Sequence, residues 1–484
     1  MRTRAPHLLV LLLLAIVAAL LTAPAAPTAD AAGPTPLGPP EDVHTTVVAG
    51  QKAIRVTWSP PTSGIPVGLA YDVLLDGDVV GTAIAQTTFT IDDAGLVVGR
   101  SYEVGVRSTV GVTQSETVSV EQQLYIAPVT KAQAANPSNP LAGREWGVYL
   151  GLADPAMNGW VKLGQDQRDK LAPIAMMHKA KFFGRWIPDA QAYQKTREYI
   201  ENAQAGDPRK LTIMTLFRMY PWEGEASILE RLPTRAEQAS YKRFVTSMAK
   251  AIGDNRVAVV LQPDGYFAWK AYHVLKPKVG RKRALLPSRM LAWTSRTLAN
   301  AGPHVTVYVD MGSEDWARGR VAPVAHFLKL CGVKYARGFS LNVSHKNYLD
   351  REILFAKRVS RALARMGLGR KHAVIDTSDN GQPFSGAEIN PPGSPYTPPG
   401  DIGPCTRKHQ GTPCTALGVP PTTDVDNPAW HLRSTVAKAA AKYVDAYLWV
   451  SRPWLPNQGA GGTQFSPRYA SLLLKTWTFS PYFG

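Results

Sequence analysis

The sequence predicts an α/β fold, a distorted TIM-like (β/α) barrel that is preceded by an immunoglobulin-like β-sandwich. Two patterns predict it. Short alternating runs of apolar and polar residues, separated by turn signals, occupy residues 39–126, which is typical of half-buried strands. From residue 139 onward, continuous apolar runs alternate with helical stretches, which is typical of a parallel sheet covered by helices. The chain has 484 residues, enough for about three domains.

The composition excludes a wholly disordered chain, since 45% of the residues are apolar and only 19% are charged. Lys and Arg number 54 against 37 Asp and Glu, which gives a formal net charge of +17. A basic excess of this size is compatible with a nucleic acid, an anionic surface or an acidic polymer as partner. The three cysteines are too few for a disulfide-rich scaffold.

Residues 1–32 have the pattern of a secretory signal sequence. Arg2 and Arg4 precede an apolar run over residues 8–21, and small residues and prolines follow that run. The run is shorter than the ~20 residues that a membrane span requires. We therefore expect a secreted, extracellular protein without a membrane span, and secretion argues against a nucleic acid as its partner.

Residues 39–126 predict a small β domain. Asp76-Gly77 is a strong hairpin signal between two of its runs. Trp58-Ser59-Pro60-Pro61 and the segment 96–102, which ends in Tyr102, resemble strand B and the tyrosine corner of a fibronectin type III domain. Such a domain acts as a spacer or as a weak sugar binder, and both remain open here. Residues 127–138, rich in Ala, Pro and Asn, are expected to be a linker. The predicted strands cover residues 54–58, 70–75, 88–91 and 102–106.

Residues 139–484 predict one large barrel. Thr234 and Glu237 form a capping box that begins a helix, and Gly253 ends it. Repeated strand–helix units of this number favour a closed barrel over an open sheet. The predicted strands cover residues 146–150, 180–183, 211–216, 257–261, 305–309, 338–343, 373–375 and 446–450.

Polar residues follow the predicted barrel strands, where active groups of such barrels lie. Carboxylates supply acid and base chemistry, amides hold hydroxyl groups, and indole faces stack on sugar rings, so their convergence indicates a carbohydrate site. The residues at the strand ends include Gln262, Asp264, Asp310, Glu314, Trp316, Asn342, Ser344, His345, Asp376, Asp379, Asn380, Ser451 and Trp454.

The same region resembles glycoside hydrolase family six, the cellobiohydrolases and endoglucanases that cleave β-1,4-glucan with inversion. Val259-Val260-Leu261-Gln262-Pro263-Asp264 is similar to the family's apolar run followed by Glu-Pro-Asp, and Val307-Tyr308-Val309-Asp310 to its Leu-Asp-Ala-Gly-His segment. Further collinear matches are residues 139–143, 374–378, 390–393, 416–420 and 444–449. The resemblance implies that Asp264 is the general acid of a polysaccharide hydrolase.

Several positions depart from the family pattern. The Glu that precedes the acid is Gln262, and the stretch 214–223 lacks the Arg-Asp-Cys signature that supplies an assisting aspartate. The Lys, Glu and Asp of the last signature become Ser451, Leu455 and Asn457, and Asn cannot accept a proton at neutral pH. Ser313 replaces the family's His.

Two hypotheses follow from these departures. In the first, the protein is an active hydrolase that uses Asp264 as acid and a relocated base; the candidates for that base are Asp310, Glu314, Asp376 and Asp379. In the second, it is a catalytically degenerate glycan-binding protein on the same fold. Both predict a monomer whose partner is a polysaccharide, either a β-glucan or an acidic polymer.

The expected substrate-binding residues are Phe182, Trp186, Trp316, Asn342 and Trp449. For Trp449, which lies inside an apolar run, core packing is the equal alternative. Cys405 and Cys414 are nine positions apart and are expected to form a disulfide outside the cell, whereas Cys331 reads as a buried free thiol. No His/Cys spacing indicates a metal, and no cofactor is expected.

The basic run Lys276–Arg283 is the densest in the chain. By default it is a solvated surface loop after the Asp264 strand. Because it follows a strand end, it is also a candidate to border the cleft and attract an acidic polysaccharide.

Overall fold

The computed structural model describes most of the chain from residue 36 onward. The predicted signal sequence 1–32 lies outside the described residues, as does nearly all of the predicted linker, and no helix of the described part is long and apolar enough to cross a membrane. The described residues are 36–48, 52–63, 65–92, 95–124, 138–143, 145–219, 231–395, 397, 402–408, 411–455 and 464–480.

The chain divides into two compact units. The first comprises Met1–His44, Thr57–Phe89 and Glu103–Val120, and the second comprises Thr45–Val56, Thr90–Tyr102 and Glu121–Gly484. Two segments of the predicted N-terminal domain thus belong to the second unit. The domain bounds 39–126 and 139–484 stay predictions.

The N-terminal strands form antiparallel sheets, consistent with the predicted β-sandwich. One sheet has the order β1-β2-β5 and the other β4-β3-β6-β7, with β8 paired to β6. The strands are β1 (Glu41–Val47), β2 (Ile54–Ser59), β3 (Ala70–Leu75), β4 (Asp78–Ile84), β5 (Thr88–Ile91), β6 (Ser101–Val110), β7 (Thr113–Gln114) and β8 (Val118–Gln123).

Two local predictions for this region are confirmed. Asp76 and Gly77 join β3 to β4 with φ values of 50° and 89°, as the central residues of a type I′ hairpin turn require. The hydroxyl of Tyr102 accepts a hydrogen bond of 2.6 Å from the backbone N–H of Val97, which is the contact expected of a tyrosine corner. The fibronectin type III assignment itself stays a prediction.

The second unit holds a parallel sheet with the order β15-β14-β13-β12-β11-β10-β9. The backbone N–H of Ala180, just before β9, donates to the carbonyl of Trp449, just after β15, at 2.8 Å. This bond joins the two edges of the sheet, as in a distorted barrel. The strands are β9 (Lys181–Gly184), β10 (Thr212–Phe217), β11 (Val257–Leu261), β12 (Val305–Asp310), β13 (Gly338–Leu341), β14 (His372–Asp376) and β15 (Val444–Leu448).

The strand predicted over residues 146–150 is wrong. Trp146 pairs with Leu211 through one isolated bridge, and the residues after it do not continue that pairing. Trp146 is nevertheless buried, in the apolar cluster that fills the barrel. The apolar run at residues 146–150 therefore reflects burial of this segment, which does not form a strand.

The helices cover the outside of the sheet. Along β11 the side chains of Val257, Val259 and Leu261 pack toward the helices, while Ala258 and Val260 fill the barrel, so the strand is buried on both faces. The helices are α1 (Pro155–Trp160), α2 (Gln165–Ala175), α3 (Ala192–Gln204), α4 (Arg235–Ile252), α5 (Phe267–Val279), α6 (Arg281–Ala284), α7 (Leu286–Ala299), α8 (Val321–Leu330), α9 (Leu349–Arg365), α10 (Gly386–Ile389), α11 (Ser434–Tyr443) and α12 (Pro467–Thr476).

Two predictions about these helices have opposite outcomes. The capping box of Thr234 and Glu237 is present at the start of α4, and Gly253 ends that helix. The basic run 276–283, expected as a loop, is instead helical, because it forms the last turn of α5 and most of α6 on either side of Gly280. The φ of 79° at Gly280 lets the chain leave α5 and begin α6 at once.

Candidate active site

The candidate site lies where the parallel strands β11 to β15 end. Neighbouring strands of one parallel sheet end at the same edge, so the polar residues that follow them are brought to one face of the barrel. Asp264 follows β11, Asp310 ends β12, Asn342 follows β13, Asp376 ends β14 and Ser451 follows β15.

Asp264 lies on a tight turn between β11 and α5. Gln262 and Asp264 have φ values of 55° and 58°, which non-glycine residues seldom adopt and which often occur at functional sites. The N–H of Gly265 donates to the carbonyl of Gln262 at 2.8 Å. A Cβ at Gly265 would lie 3.1 Å from the carbonyl oxygen of Asp310, so glycine lets the turn approach the end of β12.

Gln262 is buried beneath this turn. Its Oε1 accepts hydrogen bonds from the backbone N–H groups of Arg218 at 3.2 Å and Met219 at 3.1 Å. Its Nε2 has no hydrogen-bond partner in the described part of the chain. Gln262 therefore ties the end of β10 to the turn and adds no charge beside Asp264.

Asp264 and Asp310 lie close enough to interact. Burial raises the pKa of Asp264, and His345 and Lys270 lower it in part. Burial also raises the pKa of Asp310 well above its ordinary value, and the charge of Asp264 adds to that rise. Two neighbouring carboxyls in such an environment cannot both ionise at ordinary cost, so the site favours the protonated form of these side chains more than bulk water does.

Asp310 is held by three donors, one of which is the backbone N–H of Asp264. The Oγ of Ser340 donates to its Oδ2 at 2.7 Å, and the N–H of Gly312 donates to its Oδ1 at 3.0 Å. These bonds fix the carboxyl at the junction of β12 and β13. They do not offset its burial, since its pKa remains raised.

Trp316 is the centre of an aromatic and basic group beside Asp264. The Lys270 ammonium lies 4.4 Å from its ring centroid, within cation–π range, and the His345 ring lies 5.4 Å away at a tilt of 33°. Phe267 and Tyr266 pack edge-on against the same indole. Trp316 is half-buried, so part of its surface remains exposed at the site.

Asp315 holds the loop that carries Trp316. Its Oδ1 accepts from the N–H of Trp316 at 2.8 Å and from the Ser313 hydroxyl, and its Oδ2 accepts from the N–H of Gly386 at 2.7 Å. The Nδ1 of His345 lies 3.8 Å from Oδ1 of Asp315. Ser313, which replaces the family's His, is thus part of the loop's internal bonding.

Asp376 accepts five hydrogen bonds. Its Oδ1 accepts from the N–H and hydroxyl of Ser378 at 3.0 and 2.7 Å and from the N–H of Val450 at 3.1 Å. Its Oδ2 accepts from the N–H and hydroxyl of Ser451 at 2.7 and 2.5 Å. Burial, with the charge of Asp379, raises the pKa of Asp376 to about 6, so it is ionised at neutral pH. These five bonds occupy the lone pairs of both oxygens.

Asp379, three residues after Asp376 in the loop that follows β14, has a different environment. Its Oδ2 accepts from the Lys346 ammonium at 3.0 Å, and both side chains are buried. Its Oδ1 has no hydrogen-bond partner within the described ranges, although it is inaccessible to bulk solvent. Among the described residues, Oδ1 of Asp379 therefore has no protein donor.

Asn342 is buried and engaged with the protein. Its Nδ2 donates to the carbonyl of Asp376 at 2.9 Å, and its Oδ1 accepts from the N–H of Asn347 at 3.1 Å. Its φ of 68° is accessible to asparagine at low cost. These contacts position the loop after β13; the predicted contact with a sugar hydroxyl stays a prediction.

The predicted aromatic residues are in different environments. Trp186 is 58% exposed and Phe182 is half-buried, with the Arg452 guanidinium 4.9 Å from the Phe182 ring. Trp449 is only 1% exposed, packs against Trp454, and donates from Nε1 to the Val419 carbonyl at 3.0 Å. Trp449 is thus a core residue, the alternative left open by the sequence, and it presents no indole face to a ligand.

The structure brings the predicted residues together in two groups. Asp264, Asp310 and Trp316 form one, and Asn342, Asp376, Asp379 and Ser451 form the other. Sequence reasoning did not assign roles to Lys270, His345 or Lys346. His345 and Lys346 come a few residues after β13, so the strand-end signal was available for them; Lys270 lies inside α5, where only the fold places it beside the turn.

Other predictions concern residues away from the ends of the barrel strands. The disulfide between Cys405 and Cys414 is present, and Cys331 is buried and free, with burial raising the pKa of its thiol. Within the described ranges, no group of three or more His, Cys, Asp or Glu could hold a metal ion. Asn457 and the last four residues of the stretch 214–223 lie outside the described residues.

Comparison with known proteins gives one family and several relatives. A model of the family described as "Glycosyl hydrolases family 6" matches residues 156–481. Endoglucanase 1 of Streptomyces halstedii is 28% identical over 231 residues, which cover 46% of this chain and 64% of that protein. Endoglucanase A of Cellulomonas fimi is 25% identical over 247 residues, or 51% of this chain and 49% of that protein. The matches thus span about half to two thirds of these relatives.

A solved structure shows that the fold of this chain is similar to that of a known endoglucanase. The endoglucanase Cel6 from Mycobacterium tuberculosis, in complex with methyl-cellobiosyl-4-deoxy-4-thio-β-D-cellobioside, superposes with a TM-score of 0.52 at 25% sequence identity. The alignment covers 69% of this chain and 98% of that one. It confirms the predicted barrel.

Proposed function

We propose a glycosidase function for this chain, which belongs to glycosyl hydrolases family 6. The proposed reaction is hydrolysis of a β-1,4-glucan-type polysaccharide with inversion at the anomeric carbon, by a monomer released outside the cell. The relatives named as endoglucanases and the cello-oligosaccharide bound in the M. tuberculosis structure support this substrate class. The family membership expected from the sequence motifs is confirmed.

The observation that carries the proposal is the position of Asp264, which lies on a turn with positive φ next to the buried Asp310 at the ends of β11 and β12. A general acid must hold its proton near neutral pH and release it to the leaving oxygen in the transition state. Burial raises the pKa of Asp264, which is the direction that a general acid requires. We assign Asp264 as the acid, because it lies on the turn at the mouth while Asp310 is fully buried.

An inverting glycosidase also needs a carboxylate that activates water. Asp310 is poorly suited, since burial raises its pKa well above the ordinary value and so disfavours the carboxylate that a base requires. Asp376 is ionised, but five protein donors occupy its oxygens. Asp379 is paired with a buried ammonium that compensates its charge, and its Oδ1 has no hydrogen-bond partner among the described residues. We therefore propose Asp379 as the residue that holds the water, directly or through a second water.

The second candidate function is a glycan-binding protein that does not hydrolyse its ligand. The specific observation in its favour is Ser451, which stands where the family has Lys and donates to Asp376 instead of supporting a base. If Asp379 does not serve, the remaining base candidate among the described residues is Glu314, whose carboxylate lies 3.7 Å from the Arg358 guanidinium. Cleavage and binding must therefore be measured separately.

The test compares Asp264→Asn with the wild-type protein on cellohexaose and on a neutral mixed-linkage β-glucan. Asp254→Asn is the matched control, because Asp254 is exposed in the loop that precedes the same strand. We expect Asp264→Asn to lower kcat by about 10³-fold or more and Asp254→Asn to leave it unchanged. Proton NMR of the first product should show the α-anomer.

Each outcome decides between the two functions. Hydrolysis by the wild type that survives Asp264→Asn would exclude Asp264 as the acid, and a β-anomer product would exclude inversion. No hydrolysis by the wild type, together with cellohexaose binding that Asp264→Asn preserves in calorimetry, would establish the binding protein instead.

A further inference from the structure

The segment between Asp264 and Asp310 carries only one sign of charge. It contains eight Lys and Arg residues and neither Asp nor Glu. An uninterrupted cationic stretch across several helices concentrates a positive potential on one part of the surface. The cations are Lys270, Lys276, Lys278, Arg281, Lys282, Arg283, Arg289 and Arg296.

The cations of the run 276–283 face solvent without partners of opposite charge. Lys276, Lys278, Arg281, Lys282 and Arg283 are all exposed. Within the described ranges, none of them lies within 4 Å of a carboxylate, whereas cations elsewhere on the barrel do form such pairs. Their charge is therefore available to an external anion. We call this set the basic surface.

The basic surface is built on ordered structure. It consists of the last turn of α5, the Gly280 junction and α6. Ala271, Leu275 and Ala284 form a buried apolar cluster beneath it, and the Arg289 guanidinium of α7 donates to the carbonyl of Lys282 at 2.6 Å. Cations held in fixed positions lose less conformational entropy when they bind than cations on a mobile loop.

Aromatic and cationic side chains connect the basic surface to the candidate active site along α5. Lys270, on the first turn of α5, contacts Trp316 and interacts with Asp264. Farther along the helix, Trp269 stacks on Tyr272 at 5.4 Å and 16°, and the Lys276 ammonium lies 5.9 Å from the Tyr272 ring. The nine residues from Lys270 to Lys278 span roughly 12 Å of helix, about the length of two to three sugar rings.

We propose that the basic surface binds a polysaccharide that carries carboxylate groups, and holds it beside the Asp264 cleft. Cations bind uronate carboxylates through charge-assisted hydrogen bonds, and the flat aromatic faces suit sugar rings. Aromatic and cationic groups together also suit a single-stranded nucleic acid, but membership of a glycosyl hydrolase family favours an acidic polysaccharide as the occupant. The location of the surface relative to a cleavage site rests on the proposed function, but the binding itself does not.

The test measures binding of the full chain to polygalacturonate at 50 and 500 mM NaCl. The variant Lys276→Gln/Lys278→Gln/Arg281→Gln/Lys282→Gln removes four charges from the basic surface. The matched control Arg361→Gln/Arg365→Gln/Lys438→Gln/Lys442→Gln removes four exposed charges from α9 and α11. We expect the first variant to bind about tenfold more weakly and the control within about twofold, and we expect high salt to weaken wild-type binding.

The remaining arms of the experiment separate the alternatives. Equal losses in both variants would overturn the proposal, because net charge would then suffice; so would binding that is insensitive to salt. Tighter binding to anionic phosphatidylglycerol vesicles or to double-stranded DNA than to polygalacturonate would overturn it in favour of those partners. Cellohexaose hydrolysis, measured in parallel, should be unchanged in both variants, and its absence from the wild type would refute the proposed function alone.

Discussion

The two groups of carboxyls at the barrel mouth have the same residue type in opposite environments. At the ends of β11 and β12, Asp264 is half-buried and Asp310 is buried, and burial raises the pKa of both. At the ends of β14 and β15, Asp376 accepts five hydrogen bonds and has a pKa of about 6, and Asp379 pairs with the Lys346 ammonium. The first region thus disfavours a carboxylate charge, whereas the second compensates it with donors and a counter-charge. This difference is the basis for proposing Asp264 as the acid and Asp379 as the base.

The largest effect is expected at Asp379, the proposed base of the second region. Asp379→Asn removes the proposed base, and we expect kcat on cellohexaose to fall by about 10²–10⁴-fold. The substitution also leaves the buried Lys346 without its counter-charge, which destabilises the fold. The double variant Asp379→Asn/Lys346→Met removes that second effect.

The double variant should fold as stably as the wild type in urea titrations and should still be inactive. Azide added to a folded Asp379→Ala variant should restore part of the activity, since a small anion can replace a missing base. Full activity in the double variant would show that Asp379 and Lys346 are only a structural pair.

Asp376 should respond in the opposite way. Asparagine at this position keeps one acceptor oxygen and directs an amide N–H toward existing donors. We expect Asp376→Asn to lower the free energy of unfolding by about 3–5 kcal/mol, measured by urea denaturation, while Asp254→Asn changes it by less than about 0.5 kcal/mol. Activity per folded molecule should fall far less than in Asp379→Asn; a reversed order would make Asp376 the base.

Much of this arrangement could be predicted from the sequence, because it depends on local pattern. The apolar run 257–261 predicts β11 to the residue, and Thr234 with Glu237 predicts the start of α4. The strand-end rule places Asp264, Asp310 and Asp376 at one edge, since consecutive parallel strands share it. The sequence also shows that Gln262 and Ser451 depart from the family pattern, but it does not show which hydrogen bonds these side chains form.

What the sequence did not yield depends on contacts between distant segments. The pair of Lys346 and Asp379 joins the loops after β13 and β14, and no local pattern predicts that two loops bury opposite charges together. The Ser451 hydroxyl reaches Asp376 only because β14 and β15 are neighbours. A further limit is that apolar runs indicate burial but not its structural form. The sequence did not show whether the Trp449 indole lies in the core or faces a ligand, or whether the run at Trp146 forms a strand or a single bridge.

Glu352, a third buried carboxyl, lies between the two regions. Its Oε1 accepts from the N–H of Glu314 at 2.9 Å, in the loop after β12, and from Nδ2 of Asn347 at 2.6 Å, in the loop after β13. Burial raises its pKa to about 8. Between pH 4.5 and 8 the folded protein holds a proton that the unfolded chain has lost, so stability falls as the pH rises through this window.

Glu352→Gln remains neutral and keeps the acceptor oxygen. We expect wild-type stability to fall by about 2–4 kcal/mol relative to this variant between pH 5 and pH 8, as measured by urea denaturation at each pH. The contribution of Asp376 is common to both proteins and cancels in the difference. Parallel curves for the two proteins would mean that Glu352 is already ionised when buried.

The smallest effect should come from Asp310, because burial raises its pKa well above the ordinary value and favours its neutral carboxyl. In Asp310→Asn the amide oxygen can accept from the N–H of Gly312, and the amide nitrogen can donate to the Ser340 hydroxyl, so these two contacts have a replacement. We expect kcat within about tenfold of the wild type, which is about 1.4 kcal/mol, with the alkaline limb of the pH profile still set by Asp264. A loss as large as that of Asp379→Asn would show that Asp310 acts as a charged carboxylate. The base would then lie in the first region, with Asp310, and not in the second region, with Asp379.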